Sequence, residues 1–341
     1  MPPAWHREPG PRARRLCRLA AGLRGVHPYG APRGGRGVAG RGPGAARRCV
    51  MKPHDTLTAL ASMPADMARA RAVWALFTEA EPQALIGPLL ATAVDAGLLD
   101  ALAAERLKLQ HAARGGPRLW VEPRSGIEMI WIGGGPARLG PTGESVEMAG
   151  FSLARHPVTR AVFGAFVDAT GGETSAEPEG LAAHPKVEVS QAEAHAFCVF
   201  AGLNLPTEWM WEKAARGPDG RMYPWGSDWP RRELAQIQAK ETCAIATRPK
   251  VRTAYGCQDM IGNVSERCLP GDEADRGALP LLRAAPPPDE TTLVPVRGSA
   301  FLRFDASRDR FACWHRRQLS AGRRNHWCGF RPAFSWLLDA G

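Results

Sequence analysis

Leu205-Pro206-Thr207-Glu208-Trp209-Met210-Trp211-Glu212-Lys213-Ala214-Ala215-Arg216-Gly217 holds the most informative local pattern in the chain. Thr207, just after Pro206, is placed to cap a helix, because its hydroxyl accepts from a backbone N–H of the first turn. From that cap, Trp211, Ala214 and Ala215 turn inward on a helix of period 3.6. Upstream, Ser190 stands three residues before Glu193, the spacing of a capping box. Ala194, Phe197, Cys198 and Ala201 then share one face, and Gly202 closes the predicted helix at 190–202.

Around these two helices the texture is one of short apolar runs broken by Gly and Pro. From Leu119 onward the chain carries nine of its eleven Trp. Met129-Ile130-Trp131-Ile132 followed by Gly133-Gly134-Gly135 is typical, and it predicts short strands, many turns and long irregular connections. The expected class is α+β with little regular secondary structure. Ala284 to Pro288 marks a surface loop inside this domain.

Upstream, residues 55–113 read as helical. Met63, Met67, Ala70, Trp74 and Phe77 form one stripe. Leu85, Ile86, Leu89, Leu90 and Val94 form a second, and Leu98, Leu99 and Leu102 begin a third, which predicts three short antiparallel helices. The whole chain has a net charge of +10 over 341 residues, but residues 1–50 hold eleven Arg, no Lys and one acid, Glu8. The remaining 291 residues are therefore neutral overall, and a nucleic-acid reading rests on the arm alone. The arm is too rich in Gly, Pro and Arg to bury a core. Its readings are a disordered polyanion-binding tail, an organellar-type presequence that lacks Ser, or an upstream region not translated, with synthesis starting at Met51. The expected domains are thus a basic arm at 1–50, a helical module at 51–118 and the α+β domain at 119–338. No apolar run approaches a membrane span, and no Cys-x-x-Cys or secretory signal appears, so a reducing cytoplasm is expected.

The order of short motifs resembles the formylglycine-generating enzyme superfamily, the sulfatase-modifying-factor domain. It begins with Met129 to Gly135 and Pro157-Val158-Thr159, then His184-Pro185-Lys186-Val187, Leu205 to Glu208 and Trp211 to Gly217. Tyr223-Pro224-Trp225-Gly226, Asp259 to Val264, Arg297-Gly298-Ser299 and Gly329-Phe330-Arg331 complete it. The resemblance covers roughly 119–334. It implies a C-type-lectin-related α+β fold, often supported by calcium, and in oxidase members a copper(I)-binding cysteine pair that oxidises a substrate cysteine. It also implies a protein or peptide as partner.

The chain departs from that pattern. Counted from Ser299, the first copper cysteine falls at Leu302 and the second at Ser307 or Arg308. Leucine cannot ligate copper, and soft Cu(I) needs two close thiolates, so a copper-thiolate oxidase is not expected. Cys313 matches a cysteine that is structural in some relatives, with Ala215 at its partner's position. The expectation is a pseudoenzyme that binds or matures a peptide or protein. The alternatives are an oxidoreductase using another metal and an interaction subunit working through the helical module. Iron-dependent sulfoxide synthases of this fold carry a His-x-x-x-His-x-Glu cluster, which His54 and His111 do not supply.

Three sets of candidate site residues follow. The resemblance implies a calcium site at Asp259, Gly262, Val264 and Glu266, where two carboxylates and turn carbonyls supply oxygens. Two family tryptophans beside it are Ser265 and Arg267 here, and the Asn-Ile pair opening a second calcium site is Gln236-Ile237. From spacing alone, the mirrored Cys313-Trp314-His315 and His326-Trp327-Cys328 offer a Cys₂His₂ set for zinc or iron, if two strands bring them together. A peptide groove is expected past Ser299, Arg303, Trp314 and Trp327.

Overall fold

The computed structural model describes residues 118–172, 179–226, 228, 235–271, 287–302 and 308–334, with Ala104, Arg106 and Leu109. The basic arm, almost all of the helical module and Arg303 lie outside the described residues. The compact unit that holds the domain runs from Glu105 to Leu337, and so opens upstream of 119. Among the described residues no helix is long and apolar enough to cross a membrane.

The first sheet brings together β1 (Leu119–Val121), β2 (Glu128–Ile132), β5 (Phe151–Ala154) and β10 (Ala333–Phe334), in the order β1-β2-β5-β10 and antiparallel throughout. The run Met129 to Ile132 is buried on both faces, which explains its unbroken apolar sequence. A hairpin of β3 (Gly135–Leu139) and β4 (Glu144–Met148) follows it, with alternating Ala137, Leu139, Val146 and Met148 turned inward.

Three α-helices are described. Thr159 caps α1 (Arg160–Ala169), its Oγ1 accepting from Val162 N at 3.3 Å. In α2 (Gln191–Ala201) the expected capping box is complete: Ser190 Oγ accepts from Glu193 N, and Glu193 Oε2 accepts from Ser190 N at 2.8 Å. Gly202 ends this helix at φ +62, a left-handed conformation that favours glycine. Thr207 caps α3 (Glu208–Arg216), which buries Trp211, Ala214 and Ala215 as its sequence predicts. It also buries Glu208, Glu212, Lys213 and Arg216.

The second four-stranded sheet carries β6 (Ser265–Arg267), β7 (Leu293–Arg297), β8 (Arg316–Ser320) and β9 (Cys328–Phe330) in the order β8-β7-β6-β9. β6 and β9 are parallel, and the other pairs are antiparallel. Directly opposed residues share a face, so Arg316, Arg297 and Glu266 line one side, and Arg317, Val296, Arg267 and Phe330 the other. The first row meets α3. The second ends in an aromatic cluster, where Phe330 lies edge-on to Phe163 and Phe197.

Candidate functional site

The row Arg316-Arg297-Glu266 and the buried face of α3 have complementary charges. Arg297 Nη2 reaches Glu208 at 3.3 Å and Glu212 at 3.0 Å, and Arg316 Nε reaches Glu208 at 2.7 Å. Glu212 also accepts from Arg216 at 3.2 Å and from the backbone N–H of Gly140 at 2.7 Å. One turn along, between the two glutamates, Trp211 Nε1 donates to Glu266 at 2.7 Å. Buried charges persist only when paired and hydrogen-bonded, and each charge of this seam is paired, although Arg297 Nε is left without a partner. Apart from Glu266, which the sequence reading placed in a calcium site, these residues were not read as a site. Their signal was the i, i+4 pair Glu208 and Glu212 on a face otherwise turned inward.

Glu266 is fully committed. Arg331 donates to it through Nε at 2.6 Å and Nη2 at 2.7 Å, and both side chains are entirely buried. The same guanidinium also serves the carbonyls of Ala154, Arg155 and Gln258. Among the expected calcium residues, Glu266 therefore has both oxygens engaged by nitrogen donors. Asp259 sits at φ +54 with its Oδ2 shut off from solvent and without a hydrogen-bond partner. Burial pushes its carboxyl up, against the nearby guanidinium groups of Arg331 and Arg248. Gly262 donates its N–H to Ser299 O at 2.6 Å, and Val264 is buried in the following turn. One orphan carboxylate oxygen suits a cation, but a glutamate held by arginine does not complete the six to eight oxygens calcium prefers.

The Cys/His mirror does not assemble. Cys313 and His315 lead into β8, whereas His326 and Cys328 lead into β9, and these two strands are opposite edges of the sheet. Two strands intervene at about 4.8 Å per step, which sets buried Cys313 and Cys328 on separate strands of the core. Among the described residues no group of three or more His, Cys, Asp or Glu is placed to hold a metal. Both cysteines are instead core: burial pushes the Cys328 thiol up to about 12 and that of Cys313 higher still. The expectation failed because mirror spacing carries no information about strand order.

The expected groove is also redistributed. Ser299 is buried, its hydroxyl donating to the Arg310 carbonyl. Trp314 lies under the Arg216 guanidinium at 5.1 Å, on the α3 side of the sheet. Trp327 pairs with Arg317 at 5.9 Å on the other side. There Arg317 Nε donates to His315 Nε2 at 3.4 Å, and exposed His326 lies 6.1 Å from the Phe301 ring, one residue before half-buried Leu302. Burial and the charges of Arg317, Arg310 and Arg297 all hold His315 below the ordinary histidine value. His315, Arg317 and Trp327 thus form an aromatic and basic patch on this side of the sheet, with exposed His326 next to Trp327 in sequence.

The Sulfatase-modifying factor enzyme 1-like domain matches residues 120–335. Formylglycine-generating enzyme from Thermomonospora curvata is 31% identical over 233 residues, covering 50% of this chain and 75% of that protein. Hercynine oxygenase from Mycolicibacterium smegmatis is 30% identical over 159 residues, covering 36% of this chain and 37% of the oxygenase. Inactive C-alpha-formylglycine-generating enzyme 2 from Bos taurus is 35% identical over 95 residues, covering 24% of this chain and 31% of that protein. The chain thus spans less than two fifths of the length of the oxygenase and of the inactive relative.

Proposed function

Since the chain belongs to the sulfatase-modifying factor enzyme 1-like domain family, we propose that it keeps the family's fold to bind a peptide or protein, without copper-thiolate oxidation. One observation carries this reading. The segment from Ser299 to Arg308, where the family resemblance calls for two thiols, contains Leu302, Ser307 and Arg308 and no cysteine. Those side chains supply no soft donor for Cu(I). Described cysteines elsewhere do not supply the thiolate pair: Cys198, Cys257, Cys268, Cys313 and Cys328 are all buried, and half-buried Cys243 lies against the Arg248 guanidinium. That a related protein is named as inactive supports the same reading.

Binding falls to the patch of His315, Arg317, His326 and Trp327. Aromatic side chains anchor binding sites by burying large area at low entropic cost, and arginine by donating several hydrogen bonds. Selection of a displayed peptide library against the purified full chain tests this. The expected result is a bound peptide whose affinity falls at least tenfold in Trp327→Ala, with Tm little changed. Peptides that bind Trp327→Ala and the parent chain equally would place the contact elsewhere and refute the assignment.

A further inference from the structure

Arg248 occupies the ground between the two positions at which the family resemblance calls for calcium. Its Nη2 donates to Gln236 Oε1 at 2.8 Å, and Gln236 in turn donates through Nε2 to Glu241 O at 3.1 Å. Its Nη1 reaches Thr247 Oγ1 at 3.3 Å and Cys243 Sγ at 3.4 Å. Arg248 also lines, with Asp259, a cavity of about 10 Å³. That space admits about one water molecule. Most of its remaining wall is Pro224, Trp225, Met260 and Ile261, which offer no carboxylate.

Charge accounting points the same way. Two carboxylates, Asp259 and Glu266, face two guanidinium groups, Arg248 and Arg331. A divalent ion added here would leave two positive charges without counterparts, beside half-buried Arg248 and the wholly buried Glu266–Arg331 pair, where uncompensated charge is destabilising. Guanidinium is always protonated in proteins, so its charge is permanent and needs no uptake from solution. Arg248 also sits where a brace is needed. Asn263 accepts from Cys243 N and donates to Cys243 O, both at 3.0 Å, and its own N–H reaches Gln236 O at 2.9 Å. The segments around 236, 243–248 and 259–263 are thus tied together without a strand or helix among them.

We infer that Arg248 is a resident cation that replaces calcium, so that the folded chain binds the divalent ion neither at Gln236 nor at Asp259. Ligands that bind only the native state raise its stability with concentration, so thermal unfolding reads the question directly. The full chain is unfolded after chelation and again in millimolar calcium chloride, beside Arg248→Met and Arg248→Lys. The expected result is one Tm for the parent chain in both conditions. Arg248→Met falls by roughly 5 °C, and Arg248→Lys, which keeps the charge without the fork, recovers at least half of that loss. A parent Tm that rises with calcium overturns the inference. So does an Arg248→Met Tm equal to the parent's, or an Arg248→Lys as unstable as Arg248→Met. Should Arg248→Met fail to fold, the parent titration and the Arg248→Lys comparison decide between charge and metal.

Discussion

Arg331 closes onto Glu266 across 65 residues of sequence, its Nε and Nη2 meeting the two carboxylate oxygens at 2.6 and 2.7 Å with neither side chain exposed. The pair joins the final Gly-Phe-Arg segment to strand β6, and Trp211 extends it to α3. Three elements distant in sequence therefore depend on one carboxylate. Removing one partner of such a pair leaves the other as an uncompensated buried charge, which costs about 3–5 kcal/mol. Glu266→Gln is therefore expected to lower Tm by ~10 °C, measured by thermal circular dichroism. A loss under ~2 °C would show that Arg331 finds sufficient acceptors in its three carbonyls.

Arg106 forms the corresponding latch at the start of the domain. Its Nε donates to Glu122 at 2.9 Å and its Nη2 to the Ala201 carbonyl at 2.7 Å. Glu122 is wholly buried and also accepts from the backbone of Arg124 and Ser125. A chain cut at 119 would strand that carboxylate. Arg106→Met is expected to cost about 3–5 kcal/mol in urea unfolding, and a chain beginning at 105 to be more stable than one beginning at 119. Equal stability of the two truncated chains would remove the latch from the account.

Acid sensitivity is expected from His156. Burial holds this imidazole at about 4, below its ordinary 6.5, although a hydrogen bond with Gln258 at 3.2 Å and the Glu128 charge oppose the shift. The unfolded chain therefore takes up the proton first as pH falls. The contribution is complete above pH ~6.5, is lost between about 6.5 and 4, and levels off below, with a size of roughly 3 kcal/mol. His156→Gln should flatten that part of the stability–pH profile. An unchanged slope between pH 6.5 and 4 would assign the acid sensitivity to other groups.

What the sequence disclosed was local chemistry. The Ser190–Glu193 box, the Gly202 stop and the Thr207 cap are set by neighbours three or four residues away, and each is present as expected. Ser190→Ala should accordingly cost about 1 kcal/mol, measured by chemical unfolding. The family motifs likewise imply the α+β fold that the chain adopts. Partnerships across long sequence separations were not legible. Nothing near Glu212 announces Arg297, 85 residues on, and nothing near Cys313 announces that β8 and β9 are opposite edges. The buried lysine and arginine of α3 were hidden for the same reason: their acceptors are the Gly135 and Gly140 carbonyls, at the start and in the turn of the β3–β4 hairpin.

The loss of copper-thiolate chemistry is the claim on which the functional reading stands. Its most direct test incubates the full chain with Cu(I), air and a cysteine-containing peptide that it binds, then captures any aldehyde with hydroxylamine for mass spectrometry. The prediction is intact peptide, bound but unoxidised, at every time point. Aldehyde accumulating in proportion to the chain and abolished by a Cu(I) chelator would contradict it.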